Sequence, residues 1–188
     1  DSGIGYMAGV SYERPDIALK VLLTQSPGID IVVPTTVVGS GTVSQPSFTT
    51  LEFETGIANN TLLFGSMHQG EHASAQVKLN GIGAISSFTD GEKYNIGVGR
   101  KFNDSLSASL SYTTEEGSSA TGTSLLSPTN GTDTYALGIN YSTESVDIAF
   151  GYAMSSFGDK AVTTAYGTGN FTNNDATTTG LRIKFKLP

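Results

Sequence analysis

The sequence predicts an all-β fold, an antiparallel transmembrane β-barrel, on three observations. Nine segments alternate apolar and polar residues with a period of two, which is the period of a strand with two different faces. These segments are about 10 residues long, the length that crosses a bilayer when a strand is tilted. The connections between them alternate strictly between short turns and long loops, as they do in outer-membrane barrels.

Composition is consistent with this fold class and excludes several others. The 188 residues correspond to one domain, or part of one. Only 14% of them are charged, against about 25% in a soluble domain. No run of about 18 apolar residues occurs, so transmembrane helices are excluded. The net charge of −7 argues against a nucleic-acid partner, and the absence of Cys excludes a disulfide framework and thiolate chemistry.

The first two predicted strands are residues 6–13 and 17–24, joined by a turn at Arg14-Pro15-Asp16. The following stretch, residues 26–46, breaks the alternation with three Pro and three Gly, and we interpret it as an unusually apolar loop. Exposed apolar segments of this kind often bind other molecules. Its candidate ligand-binding residues are Ile29, Ile31, Val32, Val33, Val37 and Val38. The alternative is that these side chains only pack the loop onto the barrel mouth.

The central hairpin is residues 51–72. Its first strand alternates Leu51, Phe53 and other apolar residues with Glu52, Glu54 and Gly56. The chain then reverses at Ala58-Asn59-Asn60, because Asn tolerates left-handed backbone angles. The second strand runs from Thr61 to about His72.

Five more strands follow the same pattern. They are residues 94–102, 105–112, 134–141, 146–154 and 179–187, separated by short turns at 103–104 and 142–144 and by long loops at 73–92, 116–131 and 156–176. Aromatic residues near the strand ends, on the apolar face, are typical of an interfacial girdle, although the chain has no Trp.

The opposite face carries the charged residues. Those expected to face the lumen are Lys20, Glu52, Glu54, Arg182 and Lys184. Such charges need water, one another or a plug. The cations Arg182, Lys184 and Lys186 could therefore pair with a ligand carboxylate. The alternative is that they balance acids of the lumen or contact a plug.

Nine is an unusual number of strands for a barrel. Bacterial single-chain barrels have an even strand count, and an open sheet cannot lie in lipid with unpaired edges. Either a strand is miscounted, or the chain is the C-terminal part of a larger barrel. A soluble sandwich would also alternate its faces, but its loops would not sort so cleanly by length.

Two segments carry a family resemblance. The central hairpin, with its core FETGIANNTLLFGSM, and the opening segment AGVSYERPDIALKVLLTQS resemble outer-membrane hydrophobic-compound transporters of the FadL/TodX type. The resemblance covers residues 4–72 and is architectural beyond them. Pro188 departs from the aromatic terminus usual for such barrels.

The resemblance implies a fourteen-stranded monomeric barrel plugged by an N-terminal hatch. This chain would then supply the last nine strands of a single barrel domain, residues 1–188. It also implies a bacterial outer-membrane location in contact with lipid and lipopolysaccharide. The implied function is capture of long-chain fatty acids or aromatic hydrocarbons in an extracellular apolar groove, which corresponds to residues 26–46, and passage through the barrel.

Other functions are weighed against this one. A general diffusion porin or a small adhesin-like barrel is the main alternative, and a constriction loop rich in both charge signs would favour it. An outer-membrane enzyme would need a nucleophile and a base at a recognisable spacing, and none stands out. His68 and His72 lack a third metal ligand, so we expect no metal and no cofactor.

Overall fold

The computed structural model describes residues 2–35, 39–86, 88–117, 130–164 and 167–186. Within these ranges the chain forms strands and one short 3-10 helix, η1 (Pro15–Ile17). The strands are β1 (Ala8–Arg14), β2 (Leu19–Ser26), β3 (Ile29–Thr35), β4 (Gly39–Gln45), β5 (Phe48–Ala58), β6 (Thr61–Gly70), β7 (Lys78–Leu79), β8 (Gly83–Ala84), β9 (Gly91–Lys101), β10 (Leu106–Glu115), β11 (Thr132–Ser142), β12 (Val146–Phe157), β13 (Lys160–Thr164), β14 (Gly167–Phe171) and β15 (Asn174–Phe185).

The nine long strands form one sheet. Its order is β1-β2-β5-β6-β9-β10-β11-β12-β15, and every neighbouring pair is antiparallel. The strands therefore follow one another up and down in chain order, as the alternation of short and long connections predicted. The predicted all-β antiparallel architecture is confirmed. In the described part of the chain the sheet is not closed, because β1 pairs only with β2 and β15 only with β12.

The register assigns every strand residue to one of two faces. Lys20 lies opposite Glu54, Glu54 opposite Phe64, and Phe64 opposite Gly97. We call the face that carries this row the polar face, because its other members are mainly Gly, Ser, Thr, Asn and charged residues. The opposite face, which carries Val21 and Phe53, is the apolar face.

The apolar face is exposed. Leu181 is 67% exposed and Tyr135 57% exposed, although a soluble sandwich would bury such side chains between its two sheets. Among the described apolar residues only Ala75 and Val162 are buried. An unpartnered apolar face of this size is typical of a sheet surrounded by lipid. No helix in the described part of the chain is long and apolar enough to cross a membrane.

The short turns lie at one end of the sheet, which we call the short-turn end. Asn60 adopts a left-handed backbone angle with φ of 58°, as predicted for the reversal between β5 and β6. The first turn contains η1, which begins at Pro15 and ends at Ile17, and the following Ala18 is also left-handed, with φ of 48°.

The long connections are more regular than the sequence suggested. The stretch at 26–46 was expected to be an apolar loop, but it forms the β3–β4 hairpin, which belongs to a separate four-stranded sheet of order β3-β4-β7-β8. The prediction of a loop was wrong because β3 keeps an alternation of its own: Ile29, Ile31 and Val33 are half-buried, and the residues between them are exposed. Pro34 is tolerated because β3 is an edge strand. A second hairpin, β13–β14, forms within 156–176.

Candidate functional site

Four of the predicted ligand-binding residues, Ile29, Ile31, Val32 and Val33, lie on β3, at the end of the sheet that carries the long connections, the long-loop end. The side chain of Ile29 covers Gly3, where a Cβ would stand 2.7 Å from Ile29 Cγ2. Ile31 approaches the same glycine, with its Cγ1 3.3 Å from that position. These two isoleucines therefore pack the hairpin onto the segment that precedes β1.

Val32 differs from its neighbours. It points to the other face of the hairpin and is 53% exposed, whereas Val33 is half-buried. Among the predicted ligand-binding residues that the structure describes, Val32 is therefore the one exposed to a ligand. Val37 and Val38 lie outside the described residues.

The polar face carries a few large apolar side chains among its small and polar ones. In the described strands of the nine-stranded sheet, the register places five such residues there: Leu22, Phe48, Leu62, Phe64 and Phe157. Four of the five lie on the neighbouring strands β2, β5 and β6. We call these four the apolar track; from the long-loop end to the short-turn end they are Phe48, Leu22, Phe64 and Leu62.

Two histidines hold the long-loop end of the track. The ring of His68 stacks on Phe48 with centroids 5.1 Å apart, and His72 meets the same ring edge-on at 5.7 Å. Thr50 Oγ1 lies 2.7 Å from His68 Nδ1 and fixes the imidazole. Within the described ranges, His, Asp and Glu side chains do not gather in a group of three or more that could hold a metal ion.

The side-chain amide of Gln76 cross-links the connection between β6 and β9, which lies next to these rings. Gln76 Nε2 donates to the backbone oxygens of Ala73 and Phe88, at 2.9 Å each, and more weakly to that of His72. Its Oε1 accepts from Ser86 Oγ at 2.8 Å and from the Phe88 N–H at 3.0 Å. These bonds join the two halves of the connection between β6 and β9, next to His72 and its contact with Phe48.

The middle of the track lines a hollow of about 380 Å³ in the polar face. Its polar-face lining consists of Lys20, Leu22, Glu52, Glu54, Phe64, Ser66 and Asn95. Apolar surface from Leu22 and Phe64 thus lies beside three of the five charges predicted to face the lumen. Lys20 Nζ is 3.5 Å from Glu13 Oε1, while Glu52 and Glu54 make no ion pair within the described residues.

The other two predicted charges lie on the far edge of the sheet. Arg182 and Lys184, on β15, line a separate hollow of about 430 Å³ together with Asp147. Asp147 is paired with Lys186, whose Nζ lies 2.7 Å from its Oδ1. The predicted charges therefore share the polar face but form two clusters, an acidic one with Lys20 and a largely basic one.

At the short-turn end the track opens into a hollow of about 500 Å³ lined by Gly56, Leu62, Gly99, Ser107 and Ser109 among others. Exposed ion pairs flank it in the turns. Arg14 lowers the pKa of Asp16 by hydrogen bonding to its carboxylate, and Lys101 lowers the pKa of Asp104 in the same way.

The apolar track was not predicted from the sequence. A usable signal was present, because Leu62-Leu63-Phe64 and Leu22-Leu23 are consecutive apolar residues in strands that otherwise alternate. Consecutive apolar residues necessarily place side chains on both faces of a strand.

Neither a known sequence family nor a curated protein matches this chain. Among solved structures, a FadL homologue from Pseudomonas aeruginosa aligns with a TM-score of 0.69 and 14% identity, over 95% of this chain and 50% of its own. The CymD monoaromatic hydrocarbon channel aligns with a TM-score of 0.61 and 12% identity, over 98% of this chain and 51% of its own.

These alignments establish the fold. The nine-stranded sheet corresponds to part of a FadL-type barrel, and the chain spans about half the length of either structure. The resemblance seen in the sequence is thereby confirmed at the level of the fold.

Proposed function

We propose that this chain forms part of the wall of an outer-membrane barrel that transports hydrophobic small molecules, such as long-chain fatty acids or aromatic hydrocarbons, without covalent chemistry. The observation that carries this proposal is the apolar track on a face that is otherwise polar. A lumen that passes only water and ions gains nothing from a row of leucine and phenylalanine side chains. Contact between that row and an apolar ligand removes both surfaces from water, which is favourable.

The hairpin at the long-loop end is the proposed capture site. Val32 would contact the ligand directly, while Ile29, Ile31 and Val33 support the hairpin from its other face. The proposal includes Val37 and Val38 because they continue the same apolar segment.

The charges of the polar face are proposed to line the lumen. Arg182 and Lys184 are cations available to a ligand carboxylate or to a hatch, and Lys20 lies beside the apolar track. None of these roles requires a nucleophile, a metal or a cofactor.

We also propose that residues 1–188 belong to a single barrel domain of about fourteen strands, with a hatch and the first strands outside this chain. Within the ranges that the structure describes, β1 and β15 each have one free edge, which supports this proposal because unpaired backbone groups are costly in lipid. The completed barrel is proposed to be monomeric and to contact lipid and lipopolysaccharide through the apolar face.

The test measures uptake by cells. The natural protein that contains this chain is expressed in a Gram-negative strain lacking its own hydrophobic-compound transporter, and uptake of a labelled fatty acid, toluene and a small sugar is compared. We expect faster uptake of a hydrophobic compound and little change for the sugar. Leu22→Thr should reduce that gain, whereas Val21→Thr, on the apolar face, should not.

A general diffusion porin is the second candidate. The two charge clusters of opposite character on the polar face favour it, since charged lumen residues select polar solutes. A porin would speed up uptake of the sugar but not of either hydrophobic compound, and Leu22→Thr would have no effect. These results would favour the porin over the hydrophobic-compound transporter.

A further inference from the structure

Phe64 occupies an unusual position on the polar face. It lies opposite Glu54 on one side and Gly97 on the other, and its ring leans over Gly97. A Cβ at position 97 would stand 2.7 Å from Phe64 Cε2, closer than side chains tolerate, and one at position 99 would stand 3.9 Å from Phe64 Cε1. The two glycines therefore form a recess into which the ring fits.

Hollows lie in the polar face on both sides of Phe64 along the apolar track, and the ring lines the first of them. On its long-loop side lies the hollow of about 380 Å³ lined by Leu22, Ser66 and Asn95. On its short-turn side lies the hollow of about 500 Å³ lined by Leu62 and Gly99. Phe64 lies between Leu22 and Leu62 on the apolar track, so a molecule moving along the track would meet this ring.

We infer that Phe64 is the selectivity-determining residue of the track, and that its recess on Gly97 sets the width of the passage between the two hollows. This inference rests on the proposed transport function. With the ring in the recess, the passage is wider than it would be with the ring displaced, and the ring offers an apolar surface. Any change that fills the recess pushes the ring into the passage.

A ring that covers a glycine of the neighbouring strand also has a purely structural use, because it shields the backbone. The chain supplies a matched pair that separates the two roles. On the apolar face, Phe53 covers Gly65 in the same manner: a Cβ at position 65 would stand 2.6 Å from Phe53 Cε1. The backbone environments match as well, since a Cβ would meet a carbonyl oxygen at 2.8 Å at both glycines, that of Asn95 at position 65 and that of Leu110 at position 97.

Gly97→Ala is therefore compared with Gly65→Ala. Both add a methyl group beneath a ring and should strain the sheet to a similar extent, but only Gly97→Ala displaces a ring on the polar face. We expect Gly97→Ala to reduce uptake of a bulky polycyclic hydrocarbon relative to a linear fatty acid by about tenfold, the scale at which a binding site discriminates one methylene group. Gly65→Ala should leave that ratio unchanged.

Phe64→Ala is expected to act in the opposite direction, because it widens the passage. Uptake of the polycyclic compound relative to the linear one should rise, while Phe53→Ala should leave the ratio as it is. Equal effects of the two glycine variants on the ratio, or no effect of either Phe64→Ala or Gly97→Ala, would overturn the inference.

A second readout does not depend on transport. The chain has no Trp, so Phe64→Trp and Phe53→Trp each add one fluorophore to it, and the emission of the parent protein is subtracted. We expect a spin-labelled fatty acid, chosen to partition only partly into the bilayer, to quench the fluorescence of the tryptophan at position 64 saturably. Brominated lipid should instead quench the tryptophan at position 53.

The two readouts separate the possible failures. If the parent protein takes up no hydrophobic compound but the tryptophan at position 64 is quenched saturably, the transport proposal fails and Phe64 remains a ligand contact. If transport occurs but that tryptophan is quenched only by brominated lipid, the proposed function stands and the role of Phe64 is wrong.

Discussion

At the scale of single residues, backbone angles explain why particular amino acids occupy the turns. Asn60 closes the reversal between β5 and β6 with a φ of 58°, a conformation that is costly for residues other than Gly, Asn and Asp. The neighbouring Asn59 has no such requirement, because its φ is not positive. Of the two adjacent asparagines in this turn, only Asn60 therefore has to adopt a left-handed backbone conformation.

Substitutions in this turn test the difference. Asn60→Ala should lower the free energy of unfolding by about 1 kcal/mol, because a left-handed backbone is more costly for alanine than for asparagine. Asn60→Gly should stay close to the parent, and Asn59→Ala serves as the control. Urea unfolding of the natural protein in lipid vesicles measures these values; equal losses for Asn59→Ala and Asn60→Ala would contradict the explanation.

At the scale of elements, the β3–β4 hairpin is a strand pair where the sequence suggested an irregular loop. Its apolar residues have different environments because the strand alternates: Ile29 and Ile31 pack on the segment before β1, and Val32 faces outward opposite Thr42. Because β3 and β4 pair as a hairpin, each side chain has a fixed position, whereas the side chains of a flexible loop would not have one.

The capture proposal therefore makes a specific prediction for this hairpin. Val32→Ser should weaken binding of a hydrophobic ligand about fivefold, since a partly buried valine contributes about 1 kcal/mol through apolar contact. Thr42→Val enlarges the same apolar surface and should strengthen binding. Equilibrium binding of a fluorescent fatty acid to the purified protein measures both, and unchanged affinity for Val32→Ser would exclude this face as the capture site.

At the scale of the whole molecule, the nine-stranded sheet has two free edges in the described part of the chain. In the described part of the chain, β1 and β15 each leave one side without a strand partner, although the apolar face between them is exposed as if to lipid. Backbone N–H and C=O groups on such edges have no water to bind within a bilayer. Further strands that join the two edges would satisfy them.

Native mass spectrometry of the protein extracted in detergent from its natural source tests this closure. We expect a mass well above the 19.6 kDa of this chain, together with a co-purified fatty acid or hydrocarbon. The isolated 188-residue chain, refolded in the same detergent, is the control and should aggregate through its edges. A natural mass of 19.6 kDa without a lipophilic ligand would contradict the closed-barrel proposal.

The sequence by itself determined the strands and their faces. A period of two in nine segments is a local property of the chain, so strand positions, the short turns and the face of Lys20 or Arg182 could all be read from it. The alternation also predicted that the apolar face would be continuous, because antiparallel neighbours in register keep like faces together.

Only the tertiary structure decided which side chains meet. The apolar track depends on the register between β2, β5 and β6, and the recess for Phe64 depends on two glycines of β9 that lie more than thirty positions along the chain. Sequence periodicity gives the face of a residue but not its partner on the next strand, because the shift between strands is set by hydrogen bonding and turn geometry. Periodicity shows that Leu62 and Phe64 share a face of β6, whereas only the register aligns them with Leu22 and Phe48 on the neighbouring strands.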